Sequence, residues 1–182
     1  MTRHNFLVVL LFLLTVGCFG QGTEHSPVVD EKYNEFKTDY HNPIAILSTY
    51  QYVGNKNMET TGAYRSFYLW KQKSPLKYIL IQVLHPKGKQ FPEGVTWINR
   101  TDAIYSEGNI TAYTSLHERP AKVIEELTGK PIPACIIVAQ EFYLDKDRKE
   151  AIYKLLIVPD DTCLLTYEDT VSELNRVANM QK

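Results

Sequence analysis

Residues 134–144, ACIIVAQEFYL, and residues 151–158, AIYKLLIV, are the two clearest strand candidates in the chain. Both are rich in β-branched and aromatic residues, which favour strands. Only the charged segment Asp145–Glu150 separates them, so we expect a β-hairpin. Several consecutive positions in each stretch are apolar, which predicts strands that are buried on both faces.

Five further strands are predicted upstream of this hairpin. Each is an apolar, β-branched or aromatic segment that is followed by turn residues. Helices do not alternate with these segments, which excludes a parallel sheet and favours an antiparallel barrel or sandwich. One more segment, Ala121–Leu127, fits a strand by spacing and a helix by propensity. The five strands are Ile44–Val53, Ala63–Lys71, Leu76–His85, Val95–Tyr105 and Asn109–Ser115.

A helix is predicted at each end of this strand region. In Asp30–Tyr40, three aromatic residues recur at helical spacing, and Pro43 prevents the helix from continuing. Thr166–Met180 carries four apolar side chains on one helical face. Thr166, followed three residues later by Asp169, has the spacing of a helix-capping pair.

The first twenty residues have the pattern of a secretory signal peptide. Arg3 and His4 precede the apolar run Phe6–Val16, and small residues follow up to Gly20. The run is too short to span a bilayer as a helix, which needs about 20 residues. We therefore expect cleavage after Gly20, one secreted domain over residues 21–182, and no membrane anchor.

In a secreted protein the Asn-X-Thr sequons can be glycosylated and the cysteines can form disulfide bonds. Asn99 and Asn109 each begin an Asn-X-Thr sequon, so we expect N-glycosylation at both. Removal of the leader takes away Cys18 and leaves Cys135 and Cys163. In an oxidising compartment these two are expected to form one disulfide bond.

The composition and motifs point away from nucleic-acid binding and catalysis. The 182 residues include 20 Lys+Arg and 21 Asp+Glu, a net charge of −1, without the basic excess of a nucleic-acid binder. No nucleophile elbow, HExxH, phosphate loop or CxxC occurs, so we expect no enzyme, metal or cofactor. His85 is expected to be a surface turn residue, and Glu125 and Glu126 a solvated strand edge. The histidines beyond the leader have no metal-ligand spacing: His25, His41, His85 and His117.

Together these features resemble the tick salivary lipocalins. That family has a cysteine opening a strand, a hairpin, and a second cysteine just before a C-terminal helix, as at Cys135 and Cys163. It also has an N-terminal helix with aromatic residues and a strand like Leu47–Tyr50. The resemblance covers essentially the whole chain after the leader. It implies an eight-stranded antiparallel barrel with N- and C-terminal helices, which holds a small ligand in its lumen.

The chain departs from the amine-binding members of that family in the hairpin. Those members have Cys-Asp at the start of the penultimate strand and Glu-Leu-Trp in the last, where this chain has Cys135-Ile136 and Lys154-Leu155-Leu156. A cationic amine needs a carboxylate and an aromatic face, and Lys154 would repel it. Capture of histamine or serotonin is therefore disfavoured. The cysteines of the family's usual second disulfide are also missing.

These substitutions leave a more apolar lumen, which suits a sterol such as cholesterol or a fatty acyl lipid. Within the family this is similar to the Japanin-like subgroup, which is associated with cholesterol binding and with altered dendritic-cell behaviour. By alternation, each hairpin strand places four residues on one face, and the family's register points both sets inward. A filled core without ligand is the alternative. The residues expected to line the lumen are Tyr50, Ile136, Val138, Phe142, Lys154 and Leu156.

The resemblance implies a secreted, monomeric immunomodulator whose partners are an apolar small molecule and host immune cells. Two alternatives remain open. One is a scavenger of host mediators such as a biogenic amine or a leukotriene. The other acts through its surface by binding a host protein, for example a complement component.

Overall fold

The structure, a computed structural model, describes residues 32–36, 44–88, 105–107, 110–145, 150–159 and 167–180. All of them belong to one unit, Glu31–Lys182, and they form ten strands and two helices. The strands are β1 (Tyr33–Phe36), β2 (Ile44–Leu47), β3 (Gln51–Glu59), β4 (Ala63–Gln72), β5 (Lys77–Pro86), β6 (Tyr105–Glu107), β7 (Ile110–Tyr113), β8 (Ile136–Asp145), β9 (Glu150–Pro159) and β10 (Ala178–Met180); the helices are α1 (Glu118–Thr128) and α2 (Tyr167–Val177).

Seven strands form an antiparallel sheet in the order β3-β4-β5-β9-β8-β7-β6. The predicted hairpin is confirmed, because β8 and β9 pair from Ile136 with Pro159 to Asp145 with Glu150. The mainly β, antiparallel architecture is confirmed as well. Strands β5 and β9 are buried along most of their length and lie in the middle of the sheet, whereas the mostly exposed β3 lies at an edge.

The strand order differs from that of an up-and-down barrel, in which each strand pairs with the next along the chain. Here β5 pairs with β9, from Tyr78 with Ile157 to Leu84 with Ala151. Among the described residues the sheet runs from β3 to β6, and no pairing joins these two strands. Both β5 and β9 are apolar on both faces, so each loses more water-exposed apolar surface in the centre of a sheet than at its edge.

A second sheet has three strands in the order β1-β2-β10. The prediction of a helix over Asp30–Tyr40 is wrong where the structure describes this segment, because Tyr33–Phe36 is strand β1. The fully buried strand β2 has two edges, and β1 and β10 satisfy the backbone groups of one edge each. Tertiary hydrogen bonding thus overrides the helical spacing of the aromatic residues.

The predicted strand Ile44–Val53 is two strands in the structure. A turn at Ser48–Tyr50 separates β2 from β3, and β3 continues beyond Gly54 as far as Glu59. A bulge between Tyr52 and Gly54 shifts the register of β3 against β4. A Cβ atom on Gly54 would lie 3.4 Å from Leu127 of α1, so the missing side chain lets the helix approach this strand closely.

The two helices cover opposite faces of the seven-stranded sheet. Helix α1 resolves the ambiguity of Ala121–Leu127 in favour of a helix, which ends at Gly129 in the left-handed conformation at φ 67°. Its apolar stripe packs on what we call the α1 face, which carries Phe67, Leu69, Tyr78, Leu80, Val138, Leu155 and Ile157.

Helix α2 confirms the predicted C-terminal helix as far as Val177, with Thr170, Val171, Leu174 and Val177 buried. The last predicted residues, Ala178–Met180, are wrong as a helix, because they form strand β10 beside β2. It packs with β2 on what we call the α2 face. The apolar residues of that face are Trp70, Ile79, Ile81, Val83, Ala112, Ala139, Ile152, Leu156 and Val158.

Several sequence predictions lie outside the described residues. These are the leader over residues 1–20, both glycosylation sites at Asn99 and Asn109, and Cys163. Cys135 is disulfide-bonded, and its pairing with Cys163 stays a prediction. Neither helix in the described part of the chain combines the length and apolar character needed to cross a membrane.

Candidate functional site

An aromatic cluster occupies the end of the α2 face nearest to β1. Tyr52 of β3 and Trp70 of β4 are direct cross-strand partners, with ring centroids 5.3 Å apart. Phe36 reaches this pair from β1, with its ring centroid 4.6 Å from Trp70 in an edge-to-face arrangement and 4.9 Å from Tyr68. Such geometries add to the stabilisation that burial of the rings provides.

Tyr50 enters the same region from the turn between β2 and β3. The turn is held by the Tyr50 backbone N–H, which donates to Leu47 O at 2.9 Å, and by Ser48 N–H, which donates to Lys32 O at 2.7 Å. Tyr50 is only 2% exposed, and its hydroxyl makes no hydrogen bond with any described residue. Burial raises the pKa of Tyr50 well above its usual value, and Glu173 adds to the rise. The phenol therefore stays neutral at physiological pH.

These rings enclose a cavity of about 330 Å³, which we call the aromatic pocket. Its volume lies near the lower limit for small-molecule sites. Trp70 is buried in its wall, whereas Tyr52 is half-exposed at the opening. Its described lining is Asn34, Glu35, Phe36, Tyr50, Tyr52 and Trp70.

A second cavity, of about 540 Å³, lies at the other end of strands β3 and β4 and is called the polar pocket here. Lys87 stands beside it, paired with Glu59 and with its ammonium 5.0 Å from the centre of the Tyr64 ring. The described lining of this pocket is Asn57, Met58, Glu59, Tyr64, Arg65, Ser66 and His85.

His85 differs from the surface turn residue that its position before Pro86 predicts. It lies within β5, and its Nε2 is 3.0 Å from Oε1 of Glu150, whose side chain is almost completely buried. Burial lowers the pKa of His85. The pairing of β5 with β9 creates this contact between two residues 65 positions apart, so the sequence carries no local signal for it.

Glu125 and Glu126 also lie elsewhere than predicted. Both are exposed residues of helix α1 and not of a strand edge. Glu126 forms an ion pair with Lys56 of β3, which ties the helix to the sheet.

The six residues predicted to line a lumen are not brought together. Ile136 and Val138 lie on the α1 face, packed against the apolar stripe of helix α1. Phe142 lies on the same face in a smaller cluster, with its ring centroid 5.0 Å from that of Tyr153. These three side chains line neither of the two described pockets.

Lys154 and Leu156 lie on the opposite face, in contact with the elements around α2. Leu156 is a buried core residue. Lys154 is 3% exposed, forms an ion pair with Glu141, and donates from Nζ to the backbone oxygen of Ala178 at 2.7 Å. The Lys154 ammonium is paired with the Glu141 carboxylate, and Lys154 lines neither described pocket, so it is not placed to repel a cationic ligand in either of them. Tyr50 is the one predicted lumen residue that lines a described cavity.

Sequence reasoning missed Phe36, Tyr52 and Trp70 as site residues. The excess of aromatic residues, 12% of the chain, was the available signal. The convergence of the three rings depends on the register of β3 with β4 and on β1 being a strand. Neither can be deduced from local spacing.

Within the described residues, no group of three or more His, Cys, Asp or Glu side chains is arranged to hold a metal ion. No protein-family model, curated protein or solved structure matches this chain.

Proposed function

We propose that this protein is a binding protein for a small hydrophobic molecule, a sterol or a fatty acyl lipid, and that the aromatic pocket is its binding site. The observation that carries the proposal is a 330 Å³ cavity walled by Phe36, Tyr52 and Trp70. Aromatic walls with a few polar groups at the rim are typical of small-molecule sites. At this volume the pocket encloses one ring system or one end of a longer ligand.

The position of the pocket supports the same function. A ring such as Tyr52, 51% exposed at the mouth, leaves apolar surface in contact with water, which costs free energy unless a ligand covers it. The backbone pairing of Tyr52 with Trp70 fixes the position of both residues on the sheet, which lowers the cost of ordering them for a ligand. Binding therefore removes apolar area from water with little loss of conformational entropy.

Equilibrium dialysis of the purified protein with naphthalene, cholesterol and palmitic acid tests the proposal. We expect saturable binding of naphthalene and of at least one of the lipids. Trp70→Leu should weaken binding roughly tenfold or more, because it removes the largest wall of the pocket. The matched control is Tyr78→Phe, a buried aromatic residue on the α1 face, which should leave binding unchanged. Absence of saturable binding for all three probes would overturn the proposal.

A second candidate ligand is an organic amine, and the acidic residue in the pocket favours it. Glu35 lines the cavity together with Phe36, Tyr52 and Trp70. A carboxylate and electron-rich rings together attract an ammonium group. Calorimetry with serotonin tests this candidate: Glu35→Gln should weaken binding several-fold, whereas naphthalene binding should stay the same.

The leader and sequons support export of the protein, and the resemblance to tick salivary lipocalins supports action on host immune cells. The eight-stranded barrel of that family stays a prediction from the sequence, and the pocket does not depend on it. The cellular role is tested by adding the purified protein to cultured dendritic cells. Wild-type protein should change their cytokine release, and Trp70→Leu should not if ligand binding underlies the effect.

A further inference from the structure

The two pockets share one face of one strand pair. Tyr52 and Trp70 lie at the aromatic end. Tyr64 lies at the polar end, six residues before Trp70 in β4, which is roughly 20 Å away at about 3.4 Å per residue. Glu59 is the direct partner of Tyr64 on β3. Because side chains alternate along a strand, these residues all project from the α2 face.

The surface between the pockets is exposed on the β3 side. Asn55 of β3 and its partner Tyr68 of β4 lie between the two ends, exposed and half-buried respectively. Helix α2 packs on β7, β8 and β9 and has no substantial contact with β3 or β4. The described helices therefore leave a strip of the α2 face uncovered from one pocket to the other.

The chemistry changes from one end of this strip to the other. Aromatic rings form the first end. At the second end, the carboxylate of Glu59 and the ring of Tyr64 are suited to an ammonium group, and the ammonium of Lys87 is suited to a phosphate. Positive and negative groups of the chain are paired with each other here, which fits a zwitterionic head better than a singly charged one.

We infer that the aromatic and polar pockets are the two ends of one groove, and that its ligand is a single-chain amphiphile with a zwitterionic head group. The apolar end of the ligand lies against Phe36 and Trp70, its chain crosses the strip at Asn55 and Tyr68, and its head lies beside Glu59 and Lys87. This inference rests on the proposed function of the aromatic pocket and adds the ligand's shape and polarity to it.

Alkylphosphocholines of increasing chain length, studied by calorimetry below their micelle-forming concentrations, test the inference. Glycerophosphocholine serves as the head-only probe and naphthalene as the tail-only probe. We expect one dodecylphosphocholine per chain, bound at least 100-fold more tightly than glycerophosphocholine, because linking the two ends makes the second contact intramolecular. Shortening dodecyl to octyl should weaken binding at least tenfold.

A variant that blocks the middle of the groove tests whether the two pockets form one continuous site or bind independently. Asn55→Trp should weaken dodecylphosphocholine binding at least tenfold. Naphthalene binding should change by no more than about twofold, because the aromatic pocket loses only the hydrogen bond from the Tyr52 hydroxyl to Asn55 Oδ1. Gln51→Trp is the matched control, because Gln51 is an equally exposed residue of β3 that faces the other side of the sheet with Lys71. It should leave the binding of both probes unchanged.

The outcomes distinguish this inference from the proposed function. Binding of naphthalene without dodecylphosphocholine, two dodecylphosphocholines per chain, or insensitivity to Asn55→Trp would each overturn the groove and leave the aromatic pocket standing. Failure of dodecylphosphocholine to bind, together with failure of naphthalene, cholesterol and palmitic acid, would overturn both proposals.

Discussion

The α1 face and the α2 face belong to one sheet but differ in how they are covered. Helix α1 lies directly on a continuous apolar surface, and the buried residues that define the α1 face line neither described pocket. The α2 face combines an apolar core with a buried ion pair, a histidine–carboxylate contact and two cavities. This difference assigns folding stability mainly to the first face and ligand binding to the second.

The largest effect is expected from a cavity in the α1 face. Phe67 is completely buried there, and Phe67→Ala should lower the free energy of unfolding by about 3–5 kcal/mol, measured by chemical denaturation. Naphthalene binding to the folded variant should be unchanged. Ser66→Ala, at the next position but on the α2 face, is the control and should cost less than about 0.5 kcal/mol. A similar loss in both variants would break the contrast between the faces.

Breaking the buried ion pair on the α2 face should have the next largest effect. Lys154→Met leaves the carboxylate of Glu141 without its cation and Ala178 O without its donor, so we expect a loss of about 3 kcal/mol. Adding Glu141→Leu should recover most of the lost stability, because the uncompensated charge is then removed. Thermal unfolding of the single and double variants measures both steps. A double variant as unstable as the single one would contradict this role of the pair.

A substitution at the opening of the aromatic pocket should separate binding from stability. Tyr52→Ala should weaken naphthalene binding roughly tenfold and change the free energy of unfolding by less than about 1 kcal/mol, since the ring is half-exposed. Tyr143→Ala provides a comparison, because that ring is 39% exposed and lines neither described pocket. Equal losses of binding in both variants would count against the aromatic pocket.

Alkaline pH should destabilise the protein through its buried phenols. Burial raises the pKa of Tyr50 and of Tyr153, so above about pH 10 the unfolded chain loses phenolic protons that the folded chain keeps. The contribution of these phenols to the free energy of unfolding is therefore fully present below pH 10 and is lost as the pH rises further. Tyr50→Phe should make this fall shallower between pH 10 and 11.5, as measured by urea denaturation at each pH. An unchanged slope would show that Tyr50 is not protected from ionisation.

The smallest effect is expected where helix α1 is tied to the edge of the sheet by charge. Lys56 and Glu126 are both more than 30% exposed, so solvent screens their ion pair. Lys56→Gln should change stability by less than about 0.5 kcal/mol, as measured by chemical denaturation at low and at high salt. A loss above 1 kcal/mol would mean that α1 depends on this pair and not on its apolar stripe.

The hairpin of β8 and β9 and the helix α2 could be predicted from the sequence because their signals are local. Alternating and continuous apolar residues on both sides of a short charged turn define the hairpin, and Val171, Leu174 and Val177 at helical spacing define the helix. The conformation of Tyr33–Phe36 could not be predicted in this way. Its aromatic spacing suits a helix, but the free edge of β2 stabilises it as a strand.

The candidate site was predictable only in part. Tyr50 was identified from the sequence and does line the aromatic pocket. The inward direction assigned to both strands of the hairpin failed, because direct partners in an antiparallel pair project from the same face. Val138 faces the same side as its partner Ile157, so Lys154 and Leu156 must face the other side.

Composition, residue spacing and turn residues were sufficient to establish an antiparallel, mainly β chain with a C-terminal helix. These properties depend on neighbours a few positions apart. The tertiary structure alone decided that β5 lies beside β9, that His85 meets Glu150, and that rings from β1, β3 and β4 enclose one pocket. Such contacts join residues far apart in the chain. Which strands become neighbours is set by how much apolar surface the whole fold removes from water, and no local segment carries that information.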